Sequence, residues 1–198
     1  MSRTLSVAEG YDQIAARYDT LYDGAAVVAE NAAAFSRVRG MLSSLVVDLG
    51  CGTGLLLEGV PEIEAYVGVD LSRGMLTCAR AKFPSRPFMQ ADLSCTGLPS
   101  GCATSVVSLF SAGNYVPLAS LGCETLRLLQ AYGAFLWILR RAKREREVDG
   151  VPLFPHLHSK TQIKIWAAGS GVEELRITGL TRALNEDLFM VVQGRKSA

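Results

Sequence analysis

The stretch Val46-Val47-Asp48-Leu49-Gly50-Cys51-Gly52-Thr53-Gly54 constrains this chain more than any other. An apolar run ends in an acid and then in three glycines at alternate positions. The apolar part reads as a buried parallel strand, and the glycines read as a tight turn into the next helix. Backbone without Cβ atoms can turn sharply there and lie directly against a ligand. Asp48 stands where the strand runs out, on the sheet edge at which open α/β folds bind their ligands.

Two familiar phosphate loops fail on spacing. A dinucleotide fingerprint counted from Gly50 and Gly52 needs a third glycine where Leu55 stands. A P-loop counted from Gly54 to Gly59 needs Lys and then Ser or Thr, where the chain has Val60-Pro61. The complete run Asp48-Leu49-Gly50-Cys51-Gly52-Thr53-Gly54 resembles motif I of the class I S-adenosylmethionine-dependent methyltransferases. In that family the loop approaches the methionine end of the cofactor, which implies contacts from Asp48, Gly50, Cys51, Gly52 and Gly54. Cys51 reads as a small apolar filler, not a nucleophile.

A second strand, Ala65 to Asp70, also ends in an acid, about 20 residues beyond the loop, where nucleotide-binding α/β units hold ribose hydroxyls. Asp70-Leu71-Ser72-Arg73-Gly74-Met75-Leu76 resembles the family's Asp-x-Ser-x-x-Met-Leu signature, with Ser72 as helix N-cap. The resemblance implies that Asp70 grips the ribose, while Leu71 and Met75 flank the adenine. The third unit, Pro87 to Leu93, implies Asp92 on the adenine amino group and Leu93 beside the ring. The competing reading of all three acids is that each merely caps a turn or helix.

Residues 6 to 23 are amphipathic at helical spacing. Tyr11-Asp12-Gln13-Ile14-Ala15 and Arg17-Tyr18-Asp19 resemble a lid helix found before motif I in many small-molecule methyltransferases, which implies Tyr11 and Tyr18 over the cofactor. Core packing of an aromatic stripe is the alternative.

Strand and helix then alternate. Strands are expected at 45–49, 65–70, 86–90, 104–110, 133–139, 173–181 and 187–193, and helices at 25–40, 54–60, 73–83, 119–130 and 158–169. Alternation implies a parallel sheet with helices on both faces. The last two strands flank Asn185-Glu186 with no helix between, which makes an antiparallel hairpin. The expected fold is therefore α/β, a Rossmann-like three-layer α/β/α sandwich around a mostly parallel seven-stranded sheet with a C-terminal antiparallel hairpin. A single domain over 1–198 is expected, with lid helices in 1–40, a cofactor core in 41–139 and an acceptor-side segment with the hairpin in 140–198. Two departures from the family stand out. The fourth strand begins Ala103-Thr104 without an acid, and the loop before the fifth reads Leu129-Gln130-Ala131-Tyr132-Gly133 without its usual proline.

Methyl transfer is an in-line displacement. Holding the nucleophile about 3–3.5 Å from the methyl carbon can supply roughly 7–11 kcal/mol. A hydroxyl or carbon acid also needs a base. The family's acceptor side implies Phe110-Ser111-Ala112-Gly113-Asn114-Tyr115 and the segment from Arg140 to His158, with Phe110 also on the cofactor. Tyr115, His156 and His158 are the catalytic candidates. His156 and His158 are the chain's two histidines, and either could titrate near neutral pH. A spacing of two is read here as placing them on opposite sides of an extended chain, so that one at most faces the cofactor. Surface or capping roles compete, and no third ligand suggests a metal.

Net charge is +1, so no bulk field calls for nucleic acid or a membrane. Arg140-Arg141-Ala142-Lys143-Arg144-Glu145-Arg146-Glu147 could recruit an anionic acceptor or RNA, but lacks the interleaved aromatics of a stacking platform. The uncharged span Leu93–Cys123 holds two prolines and four glycines and reads as strand and loops, not a lipid-facing helix. A mean hydropathy of +0.22 suits a sheet covered on both faces. Five cysteines without Cys-x-x-Cys spacing read as reduced thiols in a cytoplasmic protein.

The resemblance thus implies an enzyme that moves a methyl group from S-adenosyl-L-methionine, leaving S-adenosyl-L-homocysteine, to an O, N or C atom of a small-molecule acceptor. A monomer or homodimer is expected, with neither nucleic acid nor membrane as partner. The alternatives are an RNA or protein methyltransferase using 140–147, and a non-catalytic cofactor-binding subunit.

Overall fold

A computed structural model describes residues 6–141, 146–148, 151–180 and 189–198. The chain opens with α1 (Val7–Ile14), two short 3-10 turns (Ala15–Arg17 and Asp19–Tyr22) and α2 (Ala25–Arg39). Then follow β1 (Leu45–Leu49), α3 (Leu55–Gly59), β2 (Ala65–Asp70), α4 (Arg73–Lys82), β3 (Phe88–Gln90) and β4 (Ala103–Ser108). The second half runs α5 (Leu118–Leu128), β5 (Leu129–Arg140), β6 (Arg146–Val148), β7 (Val151–Leu153), α6 (Lys160–Ala168), β8 (Val172–Gly179) and β9 (Phe189–Lys196).

Seven strands form one sheet in the order β3-β2-β1-β4-β5-β9-β8. β3 through β5 run parallel, and β9 pairs antiparallel with both β5 and β8. The expected α/β architecture and its terminal antiparallel pair are present. The turn at Asn185-Glu186 lies outside the described residues.

Side chains alternate across each strand, so the two faces carry separate cores. Val46, Val107, Leu136, Ile138 and Val191 pack with Phe35 and Val38 of α2, Leu56 and Leu57 of α3 and Leu76 of α4. Val47, Leu49, Val106, Phe135, Trp137 and Val192 pack with Leu121 and Leu128 of α5 and Ile163 of α6. Together they make the three layers. α5 and α6 meet at Gly122, where a Cβ would lie 2.3 Å from the Trp166 ring. The span from Leu93 to Cys123 folds as a loop, β4, a 3-10 turn and part of α5. Among the described residues no helix is long and apolar enough to cross a membrane.

Two expectations shift. The fifth strand begins at Leu129, directly after α5, not at 133. Ala103 pairs Leu129 while Ser105 pairs Ala134, so the extra residues bulge out, with Tyr132 in the left-handed region at φ 61°. This bulge occupies the place where the family's usual loop is missing. In addition, β6 and β7 form a small antiparallel hairpin that the sequence pattern did not announce.

Candidate cofactor and acceptor site

The site grows from the glycine turn after β1. Gly50, Gly52 and Gly54 all adopt positive φ, and the Gly50 and Cys51 N–H groups both donate to the Val69 carbonyl at 2.7 and 3.0 Å. The turn is thereby folded onto the end of β2. Gly50 admits no side chain, because a Cβ would lie 2.2 Å from that of Ala112. Asp70 accepts the Gly52 N–H at 2.8 Å and the Ser72 N–H at 2.9 Å. Burial, set against those two bonds, pushes its carboxyl above the usual carboxylate range. Asp48 is only 2% exposed and accepts the Tyr66 hydroxyl at 3.0 Å. Burial raises its pKa to about 7, against the Tyr66 bond and with a further upward push from the Asp70 charge. Asp92 accepts from the Ser94 N–H and hydroxyl at 2.7 and 2.6 Å, an Asx turn beyond β3.

These groups face one cavity. Its walls include Asp48, Gly50, Cys51, Gly52, Asp70, Leu71, Met75, Asp92, Leu93 and Phe110 from the sheet side. Tyr11 and Tyr18 contribute from the N-terminal segment and Tyr115 from the turn after β4. Gly54 is not in the wall. It sits at φ 89° ahead of α3, and its missing Cβ leaves room for the Phe83 ring, from which a Cβ there would lie 2.9 Å. The wall also holds Val7, Ala8, Thr53, Leu55, Leu56, Ser72, Leu109, Ala112 and Val116. The sequence reading placed Ala112 in the acceptor-side turn but gave the others no contact role, although most flank the motifs it used.

The N-terminal segment is fastened over this cavity at three points. Asp12 accepts from the Ser72 hydroxyl at 2.5 Å and the Gly74 N–H at 2.7 Å, which puts its charge on the N-terminus of α4. Asp19 accepts from the Thr53 hydroxyl at 2.6 Å and pairs with Lys82 at 2.9 Å. Tyr11 and Tyr115 share a hydroxyl–hydroxyl bond of 3.0 Å. In the repeated Tyr-Asp pattern both tyrosines therefore line the cavity, and both aspartates hold the segment down.

Phe110 and Ser111 follow β4 with φ of 49° and 75°. This is uncommon backbone for non-glycine residues, held only where the surroundings enforce it. Asn114 supplies part of that enforcement. It is fully buried, donates to the His156 carbonyl at 2.8 Å and accepts the Arg140 N–H at 2.8 Å. Its own carbonyl takes the His156 N–H at 3.0 Å. Asn114 and Ser111 are thus scaffold for the turn and are absent from the cavity wall.

The histidines need correcting. Their rings lie parallel, with centroids 6.5 Å apart, on one side of the chain and not on opposite sides. Residues two apart in an extended chain share a face. Neither ring lines the cavity. His158 is buried, with Nε2 3.3 Å from the Gly113 carbonyl, and burial holds its pKa below the usual histidine value. Of the three catalytic candidates only Tyr115 reaches the cavity. Lys143, Arg144 and Glu145 of the basic run lie outside the described residues. Among the described residues no cluster of three His, Cys, Asp or Glu side chains could hold a metal.

Comparison with known proteins agrees with this geometry. Residues 47–137 match a family described as "Methyltransferase domain". Over 161 residues the chain is 30% identical to the ubiquinone/menaquinone biosynthesis C-methyltransferase UbiE of Campylobacter jejuni subsp. jejuni serotype O:6, covering 74% of this chain and 68% of that protein. It is 47% identical over 53 residues to the trans-aconitate 2-methyltransferase of Acidovorax sp. (strain JS42), spanning 25% of this chain but only 20% of that one. Among solved structures, an S-adenosylmethionine-dependent methyltransferase from Mesorhizobium loti has a TM-score of 0.66 at 23% identity, covering 83% of this chain and 98% of its own. A possible histamine N-methyltransferase from Thermotoga maritima has a TM-score of 0.71 at 16% identity, covering 94% and 98%.

Proposed function

The chain belongs to the class I S-adenosylmethionine-dependent methyltransferases, and on that premise we propose that it transfers the cofactor's methyl group to an O, N or C atom of a small-molecule acceptor. The observation that carries the reading is a single cavity. The acids at the ends of three neighbouring strands, the glycine turn and two tyrosines of the N-terminal segment all meet there. The donor set fits the cofactor. Carboxylates suit ribose hydroxyls, an ammonium group and the adenine amino group, and aromatic faces suit a sulfonium cation.

In this reading Asp48 and the Gly50–Gly52 backbone hold the methionine end and Asp70 holds the ribose. Leu71, Met75, Asp92 and Leu93 bracket the adenine. S-adenosylmethionine supplies an electrophilic methyl group on sulfur. Tyr11, Tyr18 and Phe110 shield the reaction from water, and Tyr115 faces the acceptor. The buried histidine and Asn114 shape the wall from behind. Among the described residues of the wall there is no cationic side chain. That favours a neutral or cationic acceptor over a polyanion such as the substrate for which the trans-aconitate relatives are named. Arg140 lies 4.9 Å over the Phe154 ring, a position that favours intramolecular packing over nucleic-acid contact.

We assign the whole of 1–198 to one methyltransferase domain, with 1–40 as lid, 41–139 as cofactor core and 140–198 on the acceptor side. A cytoplasmic setting is supported by five cysteines that are all free thiols. Calorimetric titration with S-adenosylhomocysteine, with NAD as control, tests the reading. Micromolar binding of the first alone is expected, followed by turnover with candidate amines, phenols and carbon acids. Binding of NAD, or of neither ligand, would overturn it.

A further inference from the structure

Beneath the glycine turn Asp48 has a buried polar partner, Tyr66, to which the methyl-transfer reading gives no role. Tyr66 is 2% exposed near the start of β2, a position that an apolar residue would fill at no polar cost. β1 and β2 run in parallel register, with Val46 beside Tyr66 and Asp48 beside Gly68. Tyr66 therefore shares a face with Asp48 and lies two residues below it. Its hydroxyl reaches up to the carboxyl at 3.0 Å. The ring is fixed edge-on against Phe88, 5.8 Å between centroids. Gly68 leaves the space above it to Phe88 and the Cys51 sulfur, which would stand 2.6 and 2.9 Å from a Cβ.

Asp48 forms part of the cavity wall, so its far side meets whatever binds. The titratable groups facing it are the Tyr66 phenol and Asp70 carboxyl from β2 and the Cys51 thiol from the turn. The β4 residues paired with β1 are Ser105, Val106 and Val107, none of which carries charge. Among these groups no cation compensates a buried carboxylate. An isolated buried charge is costly, so the empty site favours the neutral acid. The titration of Asp48 near neutral pH agrees with this placement.

We propose that Tyr66 is a positioning residue whose hydroxyl bond makes Asp48 able to ionise when the cofactor's cationic end enters the cavity, so that binding releases a proton. The balance is simple. The carboxylic acid proton passes to solvent, the carboxylate faces the cofactor's ammonium or sulfonium, and the phenol keeps its own proton while donating to Oδ2. The idea rests on the cofactor assignment and adds to it a second residue and a pH dependence.

The test uses the full chain and S-adenosylhomocysteine, which keeps the ammonium group. Titrations at pH 6, 7 and 9, in buffers of unlike ionisation enthalpy, give affinity and protons released together. Wild-type protein should bind more tightly as pH rises through about 7, with proton release greatest below that point. Tyr66→Phe keeps the ring and its packing. It should bind roughly tenfold more weakly at pH 7, the scale of one hydrogen bond to a charged group, and should approach wild type at pH 9. Asp48→Asn should bind weakly with no pH dependence across this range. A Tyr66→Phe deficit equal at every pH, or none at all, overturns the proposal, because a purely structural role predicts the first. The carboxyl 13C titration of Asp48 in ligand-free protein separates the two failures. If wild type binds no S-adenosylhomocysteine at any pH, the cofactor reading falls. If Tyr66→Phe leaves the ligand-free titration unmoved, the pairing falls by itself.

Discussion

Asp70 shows how one side chain can shape a site and also serve it. Its two oxygens take the Gly52 and Ser72 N–H groups, so the carboxylate ties the glycine turn to the start of α4 while lining the cavity. Asp70→Ala should weaken S-adenosylhomocysteine binding by at least tenfold, since hydrogen bonds to a charged group are worth about 1.5–3 kcal/mol. Unchanged calorimetric affinity would remove the ribose assignment. The glycines separate in the same way. Gly52 has φ 54° and open space where a Cβ would go, so Gly52→Ala should cost only the left-handed penalty of about 1–2 kcal/mol. Gly50→Ala adds a collision with Ala112 and should be the less stable of the two in thermal unfolding. A reversed order would mean that the turn relaxes around Ala112. At this scale the sequence was legible wherever chemistry sits next to its strand, as at Asp48, Asp70 and Asp92. It was not legible where one residue type serves two ends. The spacing that marked Gly54 as a loop residue could not reveal that Phe83 fills the space beside it. The spacing of His156 and His158 gave no sign that neither ring would line the cavity.

Among the elements, α1 cannot stand alone. It has eight residues, a Ser6–Glu9 capping box and no buried side chain, and isolated helices of that length are marginal in water. Its place comes from Asp12 on the N-terminus of α4, where Gly74 admits the close approach. A Cβ there would lie 3.0 Å from the Asp12 backbone. Asp12→Ala removes a cap worth about 1 kcal/mol. It should raise amide hydrogen exchange across residues 7–22 while leaving the sheet unchanged. Equal protection in the variant would show that Tyr11 and Asp19 suffice. The pattern of residues 6–23 announced a helix, but not the partners of its acids, because Asp12 and Ser72 lie 60 positions apart. A second tie holds the loop before β4. Glu124 of α5 is 4% exposed; it accepts from the Thr96 N–H and hydroxyl and from two nitrogens of Arg127. Although burial opposes ionisation, the Arg127 and Thr96 bonds hold its pKa down to about 2 from an ordinary 4.5. Because the folded value is the lower one, the stabilisation is complete above pH 4.5 and is lost as pH falls towards 2. Its size is about 3 kcal/mol. Glu124→Gln should lower stability at pH 7 and flatten this part of the acid limb of denaturant unfolding. An unchanged slope between pH 2 and 4.5 would mean that the network is already loose.

Across the whole molecule the cavity sits where independent parts of the fold meet. β1 and β4 are neighbours at the centre of the sheet, yet the chain leaves them in different directions. The turn after β1 runs to α3 and β2, while the turn after β4 runs to α5 on the opposite face. An open α/β sheet places its crevice at such a divergence. The alternation of strands and helices made this much readable in advance. The β6–β7 hairpin and the bulge at Tyr132 were not readable, since short pairings and register shifts depend on neighbours distant in sequence. The crevice is lined at once by the N-terminal segment, the turn after β1, the start of α4, the loop beyond β3 and the turn after β4, so a ligand that fills it would bridge all five. Unfolding must separate these parts, so the ligand binds the folded chain and not the unfolded one. At a concentration 100 times its dissociation constant the gain is about 2.7 kcal/mol. For a chain of this size each kcal/mol moves the midpoint by roughly 2–4 °C. S-adenosylhomocysteine should therefore raise the thermal midpoint by about 5–10 °C, with a single transition, and NAD should leave it in place. The paired variant Asp12→Ala/Asp19→Ala removes two of the three ties of the N-terminal segment, leaving the Tyr11–Tyr115 bond, without altering the acids of the sheet side. Under the same ligand concentration its shift should be smaller than that of wild type. An equal shift would mean that the sheet edge alone holds the ligand and that the segment above it closes for the acceptor instead.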